Sequence, residues 1–207
     1  NYDPPYTEPN SGDCYWSRGN GWVFAGHVRV LAELPTSDSH RNEYIRTFQA
    51  MANALQQVQR SDGFWNASLH DPNNYGGKET SGTAFFTYGM AWGINNGFLD
   101  KAIYGPVVER AWTAMATEAV HPSGFLGYVQ GTGAEPSNNY PFTYNDTTDF
   151  GVGAFLLASS EVYIMLSGTQ AGIKGDVNGD GIVDIVDALL VAQFYVGLNP
   201  DNFDQSK

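Results

Sequence analysis

Two kinds of predicted helix alternate along this chain, and the alternation constrains the fold more than any other feature. The segments 20–34, 82–95 and 151–166 are rich in glycine, alanine and aromatic residues with few charges, which is typical of helices buried on all sides. Between them, residues 42–60 and 101–120 carry apolar side chains at three-and-four spacing, the pattern of amphipathic helices. The sequence therefore predicts an all-α fold in which inner and outer helices follow each other as hairpins.

The turns after the two outer helices repeat as well. The segment DGFW (62–65) follows the first outer helix, and SGFL (123–126) follows the second about sixty residues later. A helix-turn-helix unit that repeats at this distance predicts an array of α/α hairpins. The glycine and aromatic content of the inner helices favours a closed (α/α)6 toroid over an open solenoid. Two and a half hairpins do not close such a ring, so we expect a substantial N-terminal part of it to lie outside these 207 residues.

The composition excludes several classes of partner. A formal net charge of -12 and a pI near 4.4 argue against binding to nucleic acid or to an anionic membrane surface. No apolar run is expected to reach the length of a membrane span. The single cysteine, Cys14, rules out an internal disulfide, and without a partner motif it is interpreted as an inert thiol and not as a nucleophile.

Residues 176–187 carry oxygen-bearing side chains at the spacing of a calcium-binding loop. Gly181 stands at the position of the sharp turn, and four carboxylates without a lysine or arginine are costly unless a cation lies among them. The alternative is an acidic surface turn. The expected Ca²⁺ ligands are Asp176, Asn178, Asp180, the backbone carbonyl of Ile182, Asp184 and Asp187.

The stretch DVNGDGIVDIVDALLVAQFYVGLNP (176–200) resembles the first repeat of a type I dockerin, a family in which aspartate is common at the last loop position. The resemblance implies Ca²⁺ binding, a cohesin module of a scaffoldin as partner, and a secreted protein attached to a cellulosome or a cell surface. It also implies a truncated, EF-hand-like module with a predicted helix over 185–196, because no second repeat follows. Ile185 and Val186 occupy the pair that selects cohesins in the family, or else they are ordinary core residues. The predicted domains are 1–167, a linker at 168–175, and 176–207.

The motif WSRGNGW (16–22) predicts a ligand site. Asn20 is expected to cap a helix that begins at Gly21, and the arginine of the same loop, Arg18, would lie beside that positive helix end. A guanidinium at a helix N-terminus binds carboxylates, and the flat faces of Trp16 and Trp22 suit sugar stacking. These features together describe a site for an acidic sugar. From the residues alone, a core role for Trp22 and an ion pair for Arg18 remain equally open.

Four motifs in order, WSRGNGW, DGFW (62–65), ETSGTAFFTYGMAWG (79–93) and DFGVGAFLLASSEV (149–162), are similar to the C-terminal half of unsaturated rhamnogalacturonyl hydrolases. These enzymes form glycoside hydrolase family 105, are related to unsaturated glucuronyl hydrolases, and adopt an (α/α)6 toroid. The resemblance spans residues 14 to 167. In the family, the arginine and both tryptophans of the first motif line the substrate site, which implies that role for Trp16, Arg18 and Trp22.

The resemblance also implies a reaction. Enzymes of this kind remove the Δ4,5-unsaturated galacturonyl residue that pectin lyases leave on rhamnogalacturonan oligosaccharides. An aspartate protonates the enol-ether double bond, water adds at C5, and the hemiketal opens and expels the aglycone, unlike hydrolysis at the anomeric carbon by two carboxylates. No cofactor takes part in catalysis. The family's catalytic aspartate and assisting histidine precede the WSRGNGW motif and match nothing in residues 1–15, so we expect both upstream of Asn1 and the chain alone to be inactive.

Other candidate residues have two interpretations each. Thr80 and Ser81, which follow Glu79 at the start of an inner helix, are candidates for substrate contact or for simple N-capping. Asp149 is a cap or a site residue. His27, inside a predicted buried helix, is interpreted as a core histidine with its hydrogen bonds satisfied.

Two further functions remain open at this point. One is an unsaturated glucuronyl hydrolase that acts on other unsaturated uronides. The other is a catalytically silent carbohydrate-binding or scaffold protein that retains the toroid and the dockerin.

Overall fold

The computed structural model describes residues 7–167, 177–178, 185–195, 197–198, 200 and 203, with the side chain of Tyr195 left out. The chain divides into two compact units, Asn1–Leu166 and Ser167–Lys207. Among the described residues all regular elements are helices, so the prediction of an all-α fold is confirmed. The elements are α1 (Ser17–Glu33), α2 (Arg41–Gln57), α3 (Thr80–Asn95), α4 (Lys101–Ala114) with a π-helical turn (Met115–Ala119), α5 (Asp149–Ser167) and, in the second unit, α6 (Ile185–Tyr195).

Helix α3 lies at the centre of the first unit. Every residue from Thr80 to Gly93 is buried, as its lack of charge predicted. Close approach depends on glycine here, because a Cβ on Gly89 would overlap the ring of Phe24 and one on Gly93 would meet Leu99 and Phe48. The rings of Phe24 and Phe48 stack with centroids 4.7 Å apart and join α1, α2 and α3 in one core.

Helix α1 begins earlier than the sequence indicated. It starts at Ser17 instead of Gly21, and the N-cap position belongs to Trp16 instead of Asn20; Trp16 makes no side-chain cap hydrogen bond. The predicted capping role of Asn20 is therefore wrong: its Nδ2 donates to the Trp16 carbonyl at 2.9 Å from within the first turn. The two glycines of the motif concealed the true start, because glycine is unfavourable inside a helix by propensity alone.

Helices α1 and α5 are buried on one side only, contrary to the prediction that all inner helices are buried all round. In α5 the buried residues form one stripe at three-and-four spacing, while Leu156 and Tyr163 on other faces are 62% and 65% exposed. In α1, Trp22 and Val23 are both more than half exposed. The prediction failed because composition shows that a face is apolar but not whether this chain supplies the residues that cover it.

The second outer helix is less regular than predicted. Residues 101–120 were expected to form one helix, but α4 ends at Ala114 and continues as the π-helical turn Met115–Ala119. Met115 and Ala119 stay fully buried through this turn, so the apolar face continues into it.

Helix α5 is long and apolar enough to cross a membrane by length and composition, so the prediction that no apolar run reaches that length is wrong. Core helices of globular domains meet the same two criteria. The stripe of Ala154, Ala158 and Val162 belongs to the hydrophobic core of the first unit, and the ring of Phe155 stacks on Trp112 of α4 with centroids 5.0 Å apart. Helix α5 therefore serves as a packing element of this unit.

In the second unit, the end of α6 matches the prediction, since Gly197 has a φ of +82° and its N–H donates to the Phe194 carbonyl at 3.0 Å. At the start of the helix, the buried Asp187 accepts hydrogen bonds through Oδ1 from the backbone N–H groups of Val177 at 2.8 Å and Asn178 at 3.3 Å. Ile185 and Val186 are exposed. The other predicted calcium ligands lie outside the described residues: Asp176, Asp180, Ile182 and Asp184.

Candidate active site

The starts of α1, α3 and α5 converge at one place. Ser17 of α1 lies so close to Gly82 of α3 that a Cβ on this glycine would overlap the Ser17 hydroxyl oxygen. The guanidinium carbon of Arg18 lies 4.7 Å from the ring centroid of Phe150 in the first turn of α5. The WSRGNGW motif therefore stands beside the N-termini of the other two inner helices, where backbone N–H groups make the local potential positive.

Arg18 is the central side chain of this region, and it is only 2% exposed. Its two terminal nitrogens donate hydrogen bonds to backbone carbonyls, one to Gln130 and the other to Gly131 at 2.6 Å. Its flat faces are covered by Trp16, at 4.5 Å from the ring centroid, and by Phe150. Arg18 thus ties the loop after residue 129 to the start of α1 and is not a freely exposed cation.

The electrostatic surroundings of Arg18 explain how a buried charge is tolerated. Burial lowers the pKa of the guanidinium from its usual value of 12.5, and the carboxylate of Glu79 opposes this shift. Glu79 is itself fully buried. The two charges are held in one buried network, which compensates part of the desolvation cost that each would have alone.

The two tryptophans of the motif differ in exposure. Trp16 is half-buried, and its Nε1 donates to the side-chain oxygen of Gln130 at 2.9 Å. Trp22 is 52% exposed and packs against Phe85 of α3, with ring centroids 4.4 Å apart. Trp22 is therefore a supported aromatic surface that is open on its other side, the property that sugar stacking requires.

Thr80 and Ser81 are fully buried. The Thr80 hydroxyl donates to the Gly127 carbonyl at 2.8 Å, and the Ser81 hydroxyl donates to Glu79 at 2.7 Å. Glu79 caps α3 by accepting from the backbone N–H groups of Ser81 and Gly82. The geometry therefore favours the capping interpretation of this segment, and substrate contact by Thr80 or Ser81 stays a prediction.

Two residues of this region were not singled out from the sequence. Gln130 is fully buried and bonded to Trp16 and Arg18, but it lies in a glycine-rich stretch with no periodicity that would mark it. Phe150 lies within the DFGVGAF segment, whose recurrence of small and aromatic residues indicated a helix but assigned no role to that ring. Only contacts between residues distant in sequence reveal both.

The remaining candidates lie elsewhere or have ordinary roles. His27 is half-buried instead of lying in the core, and its Nδ1 pairs with the Val23 carbonyl at 2.9 Å, so the core interpretation is wrong. Asp149 is exposed and accepts from the Phe150 N–H at 3.1 Å at the start of α5. Burial, and secondarily Glu8, raises the pKa of Cys14 to about 12, which makes it a poor nucleophile at neutral pH. Within the described part of the chain, no group of three histidine, cysteine, aspartate or glutamate residues is placed to hold a metal ion.

Comparison with known proteins identifies the family of the first unit. Residues 1–166 match Glycosyl Hydrolase Family 88. Over 155 residues the chain is 43% identical to an unsaturated 3S-rhamnoglycuronyl hydrolase of Formosa agariphila, an alignment that covers 75% of this chain and 40% of that protein. The chain spans about two fifths of the length of the curated relatives that it matches.

Solved structures agree with the helical fold. A glycosyl hydrolase family 88 protein from Bacteroides vulgatus superposes with a TM-score of 0.73 at 44% identity, covering 77% of this chain and 46% of that one. A possible member of family GH105 from Salmonella enterica superposes with a TM-score of 0.65 at 23% identity, covering 75% of this chain and 41% of that one, and at this identity the likeness concerns the fold. The helices of the first unit accordingly correspond to part of the (α/α)6 toroid of these families.

Proposed function

This chain belongs to glycosyl hydrolase family 88, and from that premise we propose that it forms part of an enzyme that removes an unsaturated uronyl residue from the end of an oligosaccharide. The observation that carries the proposal is the convergence of three helix N-termini on the Trp16–Arg18 motif. The N-termini of α1 and α5 favour a negatively charged group such as the carboxylate of a uronyl residue, while Arg18 holds the neighbouring loop in place from beneath. The exposed Trp22 offers a stacking face beside them.

The substrate class that we propose is an unsaturated uronyl residue linked to rhamnose. The motif resemblance indicated a galacturonyl residue, while the curated relative is named for a rhamnoglycuronyl substrate. These two assignments converge chemically, because galacturonate and glucuronate differ only in configuration at C4. Elimination makes both C4 and C5 planar, so the same unsaturated ring results, and only the anomeric linkage and the aglycone distinguish the substrates. The rhamnose aglycone is common to both assignments.

The proposed reaction is hydration of the C4=C5 double bond, with a proton added at C4 and water at C5, followed by opening of the hemiketal. Glu79, the carboxylate that interacts electrostatically with Arg18, is fully buried and accepts hydrogen bonds from Ser81, Gly82 and Gln130, so we assign it a structural role. We propose that the general acid comes from a part of the family domain outside these residues. The role of this chain is then to bind and orient the uronyl group.

The test follows the ultraviolet absorbance of the C4=C5 double bond, which disappears on hydration. We would incubate unsaturated galacturonyl-rhamnose and unsaturated glucuronyl-rhamnose with these 207 residues and with a protein that carries the whole family domain. Loss of absorbance with the longer protein alone supports both the reaction and an acid outside this chain. Turnover by the 207 residues would contradict the location of the acid. Binding without turnover in both would favour the carbohydrate-binding alternative.

We also propose that the second unit binds Ca²⁺ and docks onto a cohesin. In support, Asp187 brings the last position of the twelve-residue loop to the backbone of its second and third positions, the closure that a calcium loop needs. The oxygen-rich side chains of the loop suit a hard cation. Ile185 and Val186 are exposed at the start of α6, and apolar residues at the surface suit the docking role.

This docking role carries a proposal about location. A protein that binds cohesin acts where scaffoldins are displayed, so we propose secretion and attachment to a cellulosome or cell surface. A pull-down with a purified cohesin, in calcium and then in a chelator, tests the partner: calcium-dependent capture supports it, and equal recovery in both buffers contradicts it.

A further inference from the structure

Gln130 joins the Trp16–Arg18 motif to the loop that follows it. The residue is fully buried. Its side-chain oxygen accepts from Trp16 Nε1 at 2.9 Å, and its Nε2 donates to the carbonyl oxygens of Pro136 at 2.9 Å and Asn138 at 2.6 Å. The amide therefore uses both of its ends, one toward α1 and the other toward the loop.

The backbone of Gln130 is fixed as firmly as its side chain. Its N–H donates to Glu79 Oε1 at 3.2 Å, and its carbonyl accepts from the guanidinium of Arg18. A buried carboxylate before α3 and a buried cation in α1 thus hold the two sides of one residue. Because the backbone cannot shift without breaking a charge-assisted hydrogen bond, the amide presents its oxygen to Trp16 from a fixed point.

The loop beyond Gln130 is built around the same amide. Within residues 131–139, Asn138 Oδ1 accepts from the Ala134 N–H at 2.7 Å, and Asn139 Nδ2 donates to the Thr132 carbonyl at 2.6 Å. The two bonds from Gln130 Nε2 anchor this self-bonded loop to the buried network. One side chain therefore bonds both to the loop and to the indole.

We propose that Gln130 is a positioning residue for the sugar site, which sets the orientation of the Trp16 indole and of the loop 131–139 around the bound uronyl group. This inference rests on the proposed function, in which Trp16 contacts the substrate. Arg18 contacts one face of the Trp16 ring, and the hydrogen bond from Nε1 to Gln130 restrains the ring against rotation about its side-chain torsions. An aromatic ring held in one orientation binds a sugar without the entropic cost of ordering it.

The first test is spectroscopic and does not depend on activity. Gln130→Met keeps the unbranched length of the side chain but removes its acceptor and its donors. In the 207-residue chain, we expect the Trp16 indole N–H resonance to shift and its hydrogen exchange to accelerate by at least about tenfold. The indole of Trp65, which donates to the Leu55 carbonyl at 2.9 Å, is the internal reference and should not change.

A matched substitution controls for the loss of a bonded glutamine. Gln59 Nε2 donates to two carbonyls, Gly63 and Val107, at 3.0 Å each, away from Trp16. Gln59→Met should leave the Trp16 signal in place. An unshifted Trp16 resonance in Gln130→Met, or an equal shift in both variants, would overturn the proposal.

The second test uses kinetics in a protein that carries the whole family domain. Gln130→Met should raise KM about tenfold with kcat within about twofold, because stacking acts on substrate and transition state alike. Trp16→Phe keeps a ring but lacks the N–H, and we expect it to reproduce part of this rise. The two changes should combine to less than the product of their separate effects.

The outcomes separate the two proposals. Fully multiplicative effects, or a fall in kcat without a change in KM, would show that Gln130 acts only on folding and overturn its positioning role. An inactive wild-type protein would contradict the proposed function, while the indole measurement would still decide whether Gln130 orients Trp16.

Discussion

The guanidinium of Arg18 lies over the ring of Phe150 at 4.7 Å, and each of these is the second residue of its helix. This contact joins the first and last helices of the first unit through their N-terminal turns. Glu79, which caps α3, interacts electrostatically with Arg18. The buried Arg18 therefore interacts with residues at the starts of three helices. Changes at this point should therefore affect stability and ligand binding together.

Arg18→Ala is expected to lower the free energy of unfolding by about 3 kcal/mol, because it leaves two backbone carbonyls without donors and uncovers two aromatic faces. In a protein with the whole family domain it should also weaken binding of an unsaturated uronyl disaccharide, because the carbonyls of Gln130 and Gly131 and the ring of Trp16 lose the contact that places them. Denaturant unfolding measures the first effect and calorimetric titration the second.

Arg41→Ala is the matched control for Arg18→Ala. Arg41 also donates to two backbone carbonyls, Leu31 and Leu34, but from α2. The substitution Arg41→Ala should lower the free energy of unfolding by about 1–2 kcal/mol and leave the affinity for the uronyl group unchanged. Equal losses of affinity in the two variants would remove Arg18 from the site.

Gly82→Ala should lower stability by about 2–3 kcal/mol, because the new methyl group would overlap the Ser17 hydroxyl and lie only 3.0 Å from the Ser17 backbone carbonyl carbon, so both the hydroxyl and the backbone of α1 must shift. Ser17→Gly in the same chain should restore part of the loss. Gly26→Ala, on the exposed side of α1 with no atom within 4 Å of the new methyl group, should instead raise stability by about 0.5–1 kcal/mol. Thermal unfolding of all four proteins gives the comparison, and a harmless Gly82→Ala would contradict the close approach of the two helices.

The helices were predictable from the sequence because their signals are local. Three-and-four spacing located α2, and composition located α3 and α5, to within a few residues, while the end of α4 was placed too late. The motif order indicated glycoside hydrolase family 105, and the chain matches the related family 88. The start of α1 was missed since Gly19 and Gly21 weaken the local helix signal, which packing against α3 overrides.

The interior of the candidate site was not predictable, and the reason is physical. The partners of Arg18 are backbone carbonyls of Gln130 and Gly131, and any residue type supplies such a carbonyl. No side-chain pattern in the sequence encodes that contact. Sequence reasoning could therefore place the arginine near a helix end but expected it to face a ligand, whereas the fold brings a loop over it.

Glu161→Gln should raise stability at neutral pH. Burial raises the pKa of Glu161 above its usual 4.5, against an opposing hydrogen bond from Asn95 Nδ2 at 2.8 Å, so the charged form is less favourable in the folded state than in the unfolded one. This cost is fully present above the raised pKa, declines as pH falls through it, and vanishes below about 4.5, where both states are protonated. The gain from glutamine should follow the same course.

Unfolding midpoints at several pH values between 4 and 8 test this dependence. Glu109→Gln, on the exposed surface of α4, makes the same change in charge and measures the general effect of reducing the net charge of -12. A gain that is equal in both variants, or one that grows as pH falls, would contradict the burial of an unfavourable charge at Glu161.

Calcium should increase the helix content of the second unit, and Asp176→Ala combined with Asp180→Ala should abolish this response. Each substitution removes a carboxylate from the proposed loop, and a hard cation that needs six to eight oxygens cannot replace two of them without losing affinity. Calorimetric titration and circular dichroism at increasing calcium measure binding and ordering separately. The matched control, Asp201→Ala with Asp204→Ala, makes the same change in charge outside the twelve-residue loop and should keep the response. If both double variants bound calcium as the wild type does, the acidic segment would be a surface turn, and the proposed calcium-dependent docking onto cohesin would lose its physical basis.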